Sequence, residues 1–154
     1  MAQFRTALDM AGDDPVLMLE DDILLCPDFE RRAEAAIREH PGHMIQFFSR
    51  SRKDPEAGSR WRPGSTFSMN QCHYLPAGEA RALLDYLPQW RRASMTTAAY
   101  DWLIADYLSD RRERYWLHVP SLVDHRVGPS AIDKRRAHDR RSTTFRFTDW
   151  SQTP

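Results

Sequence analysis

The residues of this sequence whose types and spacing best suit chemistry are three consecutive acids, Glu20, Asp21 and Asp22. They follow the apolar run 16–19 without a gap, and this run predicts a strand buried on both faces. Ligands of open α/β sheets bind beyond the carboxyl ends of the strands. Because adjacent carboxylates repel one another, the triplet predicts a divalent cation, and hard oxygen ligands favour Mg²⁺ or Mn²⁺. Alternatively, the acids cap the next helix or lie in solvent.

The elements around the triplet predict an α/β domain. An amphipathic stripe predicts a helix over 2–11, and the run 16–19 is the candidate central strand. Pro27 opens a second helix that the His40-Pro41-Gly42 sequence closes, and residues 44–48 form a second strand. The order strand, helix, strand predicts a parallel crossover unit. Further along the chain we expect a long surface loop over 49–64, a strand in 66–75, helices over 76–87 and 96–108, and a last strand over 115–119.

Composition and charge exclude several classes of protein. A chain of 154 residues with 41% hydrophobic and 29% charged residues suits one folded domain and argues against disorder. No apolar run approaches the ~18 residues of a membrane helix, and residues 1–14 lack the apolar stretch of a signal peptide, so we expect a cytoplasmic protein without membrane contact. Cys26 and Cys72 offer neither a disulfide framework nor a paired metal-ligand spacing.

The formal net charge is zero, but the bases concentrate towards the end of the sequence. Residues 126–146 carry seven Lys and Arg against two Asp. This segment is either an anion-binding surface or a solvated tail. Neutral overall charge argues against strong non-specific DNA binding. We expect a catalytic domain over 1–132 and a basic C-terminal tail over 133–154.

Four segments, taken in order, resemble GT-A glycosyltransferases, most closely the lipopolysaccharide-type and procollagen-galactosyltransferase-like group. The first is the acidic triplet with its preceding strand and the following Pro27-Asp28-Phe29. The others are the Asn-Gln-Cys-His-Tyr-Leu-Pro segment at 70–76, Tyr-Asp-Trp-Leu at 100–103, and Val-Pro-Ser-Leu-Val-Asp-His at 119–125, with Gly128 and Ser130 after it.

The resemblance implies a single GT-A-like domain with a short mixed central sheet flanked by helices. It implies a hexosyltransferase that moves a sugar from a nucleotide-sugar donor to a hydroxyl of a saccharide, or of a hydroxylated base in phage DNA. Part of the usual N-terminal nucleotide-binding half has no counterpart in this sequence. We therefore expect either that a second copy or a partner chain completes the nucleotide site, that basic residues hold the donor, or that the chain is a fragment.

The resemblance also implies roles for individual residues. Asp22 and His125 would bind Mn²⁺ or Mg²⁺, and Asp101 would be the catalytic base. Donor binding would fall to Glu20, Asp21, Trp61 and Arg62, and acceptor binding to His73 and Trp102. His125 has two simpler interpretations, a surface imidazole or a hydrogen-bonding partner of Asp124. Two other classes remain open: a metal-dependent nuclease or phosphoesterase, and a catalytically inactive binding module derived from a glycosyltransferase.

Overall fold

The chain folds into both helices and strands. The computed structural model describes residues 2–91, 99–126 and 141–146. Its helices are α1 (Ala2–Ala11), α2 (Phe29–Glu39), α3 (Asp54–Ala57), α4 (Glu79–Tyr86) and α5 (Tyr100–Asp110), with 3₁₀ turns at Gly64–Thr66 and Leu87–Gln89. The strands are β1 (Val16–Leu19), β2 (Ile23–Leu25), β3 (Ile45–Gln46), β4 (Arg60–Pro63), β5 (Cys72–Leu75), β6 (Arg114–Leu117) and β7 (Val123–His125).

The central sheet is mixed and has five strands in the order β1-β5-β3-β6-β4. Only β3 and β6 pair in parallel, and the other neighbours are antiparallel. Because β1 and β3 are both antiparallel to β5, they run in the same direction and end at the same edge of the sheet. The helix α2 connects them. The expected mixed α/β domain with helices around a short central sheet is confirmed.

The position expected for the first strand was wrong. β1 lies at an edge of the sheet, and its residues are half-buried or exposed. The central position belongs to β3, which leads into the buried Phe47 and Phe48. A run of four apolar residues cannot distinguish a central strand from an edge strand, because an edge strand also packs both of its faces when helices or a second sheet cover them.

The segment expected to be a long loop holds two short elements, α3 and β4. Arg60 and Arg62 alternate with Trp61 along β4, and the charged side chains hide this period of two. Arg60 donates to the fully buried Asp54 at 2.6 Å, which fixes α3 against β4. A second omission is the two-stranded sheet of β2 and β7, whose strands of three residues are too short to produce a pattern.

The sheet separates two hydrophobic clusters. On one side, here called the α5 side, α1, α4 and α5 pack against Met44, Tyr115 and Leu117. On the other, the α2 side, α2 and the β2–β7 sheet pack against Ile45, Phe47 and Trp116. Side chains of successive strand residues alternate between the two sides. None of the described helices is long and apolar enough to cross a membrane.

Candidate functional site

The β2–β7 sheet brings Asp22 and His125 together from distant parts of the chain. Ile23 pairs with His125, and Arg126 N donates to Asp22 O at 2.8 Å. This register places His125 Nε2 at 3.0 Å from Asp22 Oδ2. The two residues singled out as metal ligands therefore meet beyond the carboxyl end of β1.

The backbone fixes the tautomer of His125. Its Nδ1 lies 2.7 Å from Arg126 O, and because a carbonyl oxygen only accepts hydrogen bonds, Nδ1 carries the hydrogen. A neutral ring then presents the lone pair of Nε2 towards the Asp22 carboxylate. Two lone pairs at this distance need a proton or a cation between them. The imidazole is 5% exposed, whereas the Asp22 side chain is half-exposed, so the pair opens to solvent on the aspartate side.

A carboxylate oxygen and an imidazole nitrogen are donors that a divalent cation can use together. Their separation of 3.0 Å is also that of a direct hydrogen bond when a proton lies between them. Within the described part of the chain no group of three His, Cys, Asp or Glu could hold a metal ion. Two protein ligands would leave the remaining positions to water and substrate oxygens, which is the usual arrangement for Mg²⁺.

Asp124, next to His125, is a buried anchor. Its Oδ1 accepts from His125 N at 3.0 Å and from Ser142 N at 2.7 Å, and its Oδ2 accepts from Arg141 Nε at 2.9 Å. Ser142 also donates its hydroxyl to Ser121 at 2.8 Å. The C-terminal segment 141–146 therefore lies against the strand that carries His125.

The other two acids of the triplet occupy the β1–β2 turn. Glu20 N donates to Gln71 O at 3.1 Å, which extends the pairing of β1 with β5 by one residue. Glu20 is half-buried and Asp21 is exposed. Both lie on the same turn as Asp22.

Asp101 lies at the start of α5 and holds the loop that precedes β5. Its Oδ2 accepts from Met69 N at 3.3 Å, and its Oδ1 accepts from Trp102 N at 3.0 Å. Met69 has a positive φ of 72°. Since Gln71 of the same loop receives Glu20 N, this loop lies between Asp101 and the acidic triplet. The neighbouring Trp102 is 39% exposed.

His73 lies inside the domain rather than on an open surface. It is 1% exposed and lies on β5, where it pairs with Met18 of β1 and Gln46 of β3. Its ring packs edge-on against the Phe67 ring, with the ring centroids 5.8 Å apart. Neither ring nitrogen has a hydrogen-bond partner of normal geometry among the described residues, although the backbone of Asn70 lies close by. Burial lowers the pKa of the imidazole to about 4, so it is neutral near pH 7. Its acceptor role stays a prediction.

Trp61 and Arg62 are neighbours in sequence but lie on opposite sides of the sheet. Trp61 lies on the α2 side, with ring centroids 5.3 Å from Trp116, 4.8 Å from His43 and 5.4 Å from His40. This cluster is at the carboxyl end of α2, away from the Asp22 end of the helix. Arg62 lies on the α5 side and lines a polar cleft. The structure therefore does not bring these two donor candidates together.

The polar cleft was not found from the sequence. It has a volume of about 390 Å³ and lies beside the carboxyl end of β3. It is lined by Gln46, Ser49, Arg50, Ser51, Arg62, Ser68, Met69 and Tyr115. The sequence does contain one indication of a polar site here. Gln46 interrupts the apolar run 44–48, and a buried amide needs hydrogen-bonding partners. Its Nε2 donates to Ser68 O and to Met69 O, the latter at 2.8 Å.

Several predictions concern residues outside the described part of the chain. These are the start of the helix expected from Thr96, the Gly128 and Ser130 of the fourth segment, and residues 127–140 and 147–154 of the basic region. Of the predicted tail, only 141–146 is described. The boundary between domain and tail stays a prediction.

Comparison with protein-family models, curated proteins and solved structures found no match for this chain. The geometry of the site therefore carries the functional argument.

Proposed function

We propose that the protein is a metal-dependent glycosyltransferase with a GT-A-like domain, which moves a sugar from a nucleotide-sugar donor to a hydroxyl acceptor. The observation that carries the proposal is the 3.0 Å contact between Asp22 Oδ2 and His125 Nε2. These residues were selected from two separate motifs, 103 positions apart in the sequence. The strands β1 and β3 run in the same direction although they do not pair, and α2 connects them. Asp22 follows the carboxyl end of β1, which supports the same assignment because α/β sheets bind ligands beyond such ends.

Asp22 and His125 would hold Mn²⁺ or Mg²⁺. When bound, the ion supplies positive charge that stabilises the leaving nucleoside diphosphate. Glu20 and Asp21 on the same turn would orient the ribose or water molecules. His125 lies on β7, which is anchored through Asp124, and this anchoring would keep its Nε2 directed at the ion.

Asp101 would accept the proton of the acceptor hydroxyl. Each of its carboxylate oxygens accepts one backbone N–H, and each retains a further lone pair. The two contacts fix the carboxylate in position and leave acceptor capacity for a substrate hydroxyl. Trp102 is exposed beside it, and an exposed indole face offers a surface for a sugar ring or a base. The acceptor is a saccharide or a hydroxylated base.

Metal-dependent nucleotide binding tests the proposal. Isothermal titration of UDP, GDP, TDP and CDP with Mn²⁺ present should give binding to at least one of them, lost on removal of the metal. Asp22→Asn should weaken this binding by about 100-fold or more, because it removes a charged ligand of the ion. Asp28→Asn is the matched control, since Asp28 follows on the same segment and forms an exposed ion pair with Arg31.

Donor turnover separates the proposal from its rivals. Incubation with several nucleotide sugars and Mn²⁺ should release the sugar of one donor slowly even without an acceptor. Asp22-dependent cleavage of a phosphodiester, without turnover of any nucleotide sugar, would instead identify a phosphoesterase. No metal-dependent binding of any nucleoside diphosphate would leave an inactive module.

A further inference from the structure

None of the described residues that line the polar cleft is acidic. Its two charged lining residues are Arg50, which is exposed, and Arg62, which is half-buried. Neither guanidinium forms an ion pair with a residue of the described segments. The buried carboxylate of Asp54 pairs with Arg60 at 2.6 Å, and the Asp101 carboxylate accepts from the N–H of the lining residue Met69. The cleft therefore concentrates positive charge, which attracts an anion.

Two hydroxyl groups of the cleft can donate to a ligand. Ser49 Oγ accepts from Ser51 N at 3.2 Å, and Ser51 Oγ accepts from Lys53 N at 3.3 Å. Each oxygen has thus received a backbone N–H, and its own hydrogen remains available to a ligand. Two guanidinium groups with two hydroxyl donors around a concave surface match the acceptor oxygens of a phosphate group, to which Arg can bind in a two-pronged way.

The position of the cleft indicates which substrate would enter it. Two of its lining residues pack in different clusters: Tyr115 in the cluster on the α5 side of the sheet, and Met69 in the cluster on the α2 side. Met69 lines the cleft and receives its N–H contact from Asp101. The cleft is therefore adjacent to Asp101, the candidate base.

We infer that this cleft binds a phosphate group of the acceptor, so that the acceptor is a phosphorylated molecule. The assignment of this phosphate to the acceptor rests on the proposed function, whereas the phosphate site itself can be tested alone. It moves Arg62 from the donor side, where the sequence placed it, to the acceptor side. Arg50 and Arg62 would hold the phosphate, and Asp101 would face the hydroxyl that receives the sugar.

Binding of inorganic phosphate tests the site. The titration is made in EDTA at low ionic strength, so that no divalent cation contributes. The intact chain should bind phosphate, and binding should weaken as salt is added. Arg50→Gln/Arg62→Gln should weaken it by about tenfold or more, since two charge-assisted contacts are lost. The control Arg5→Gln/Arg31→Gln removes the same net charge from α1 and α2 and should leave the affinity unchanged.

Two results would overturn the site: no phosphate binding by the intact chain, or equal weakening in the two double variants, which would mean a response to net charge alone. A second titration assigns the phosphate to donor or acceptor. With Mn²⁺ and a saturating nucleoside diphosphate present, phosphate should bind with the same affinity. Displacement of the phosphate would show that the cleft holds the donor's diphosphate, and the acceptor assignment would be wrong. Failure of the proposed function appears separately, as absent nucleoside diphosphate binding.

Discussion

At the scale of single residues, the unusual feature of this molecule is a buried imidazole without a hydrogen-bond partner of normal geometry in the described chain. His73 lies in the fully buried strand β5, between Met18 and Gln46, and burial lowers its pKa to about 4. Leaving buried polar groups unpaired costs free energy. Because the folded state disfavours the protonated imidazole, His73 destabilises the fold as the pH falls.

We predict that His73→Leu flattens the acid side of the stability profile. The unfolded imidazole titrates near pH 6.5 and the folded one near 4, so the unfolded chain binds more protons between these values. Stability is fully present above pH 6.5 and is lost as the pH falls towards 4. Urea unfolding at pH 7 and pH 5 should show a loss smaller by about 2 kcal/mol in His73→Leu than in the unchanged chain.

His43→Gln is the control for this measurement, because His43 is exposed and its substitution leaves the buried imidazole in place. Burial also lowers the pKa of His118, which contributes in the same direction in all three chains and cancels in the comparison. An unchanged slope in His73→Leu would mean that the imidazole finds a partner in solution.

The residues of the candidate site could be predicted to different extents. Asp22 and His125 were proposed from the family resemblance because each lies in a short motif of consecutive residues, and such motifs can be read without knowledge of the fold. Gln46 and Arg50 were missed because only the pairing of β3 with β5 and β6 turns them into the lining of a cleft. Trp61 and Arg62 were grouped because they are adjacent, although alternation along a strand places adjacent side chains on opposite sides.

At the scale of elements, the turn at Gly64–Thr66 packs closely against α5, and it leads into the loop that precedes β5. A Cβ on Gly64 would lie 2.9 Å from Glu113 O and closer still to Leu108 Cβ. Gly64 N also donates to Glu113 O at 3.0 Å. The backbone therefore contacts α5 and its C-terminal turn directly, and the chain continues from here into the loop that Asp101 holds.

Gly64→Ala should destabilise the protein by about 1–3 kcal/mol, because the added methyl group meets backbone atoms that cannot move independently. Gly42→Ala is the matched control: the space around Gly42 is open, and the change should stay within about 0.5 kcal/mol. Thermal unfolding of both variants measures the difference. Equal stability of the two would show that the turn can move away from α5.

Element boundaries followed from the sequence where periodicity was long. The first two helices appear close to their expected limits because a stripe of apolar residues extends over three turns. β2, β4 and β7 were not predicted, since three or four residues leave too few repeats for a period of two to be seen. Their positions depend on pairing with distant segments, which is a tertiary effect.

At the scale of the whole molecule, the C-terminal segment 141–146 ties together parts of the chain that form the two candidate sites. Thr143 donates to Ser51 O at 2.8 Å beside the polar cleft, and Ser121 N donates to Thr144 Oγ1 at 3.0 Å. Arg141 and Ser142 bind the buried Asp124 beside His125. The basic region was expected to be either solvated or anion-binding. Its described part contains residues that bind Asp124, next to His125, and Ser51 of the polar cleft.

We predict that Arg141→Gln lowers both stability and metal-dependent nucleotide binding. Removing the guanidinium leaves the carboxylate of Asp124, which is 1% exposed, without its charged partner, and breaking such a buried pair costs about 3–5 kcal/mol. The half-exposed Arg141 side chain reduces this to about 2 kcal/mol. Arg146→Gln, an exposed position of the same segment, should change neither quantity.

Urea unfolding and titration of the nucleoside diphosphate with Mn²⁺ measure the two effects. A loss of stability with unchanged nucleotide affinity would contradict the support of His125 by this segment, because the strand would then hold its geometry without Asp124 being paired.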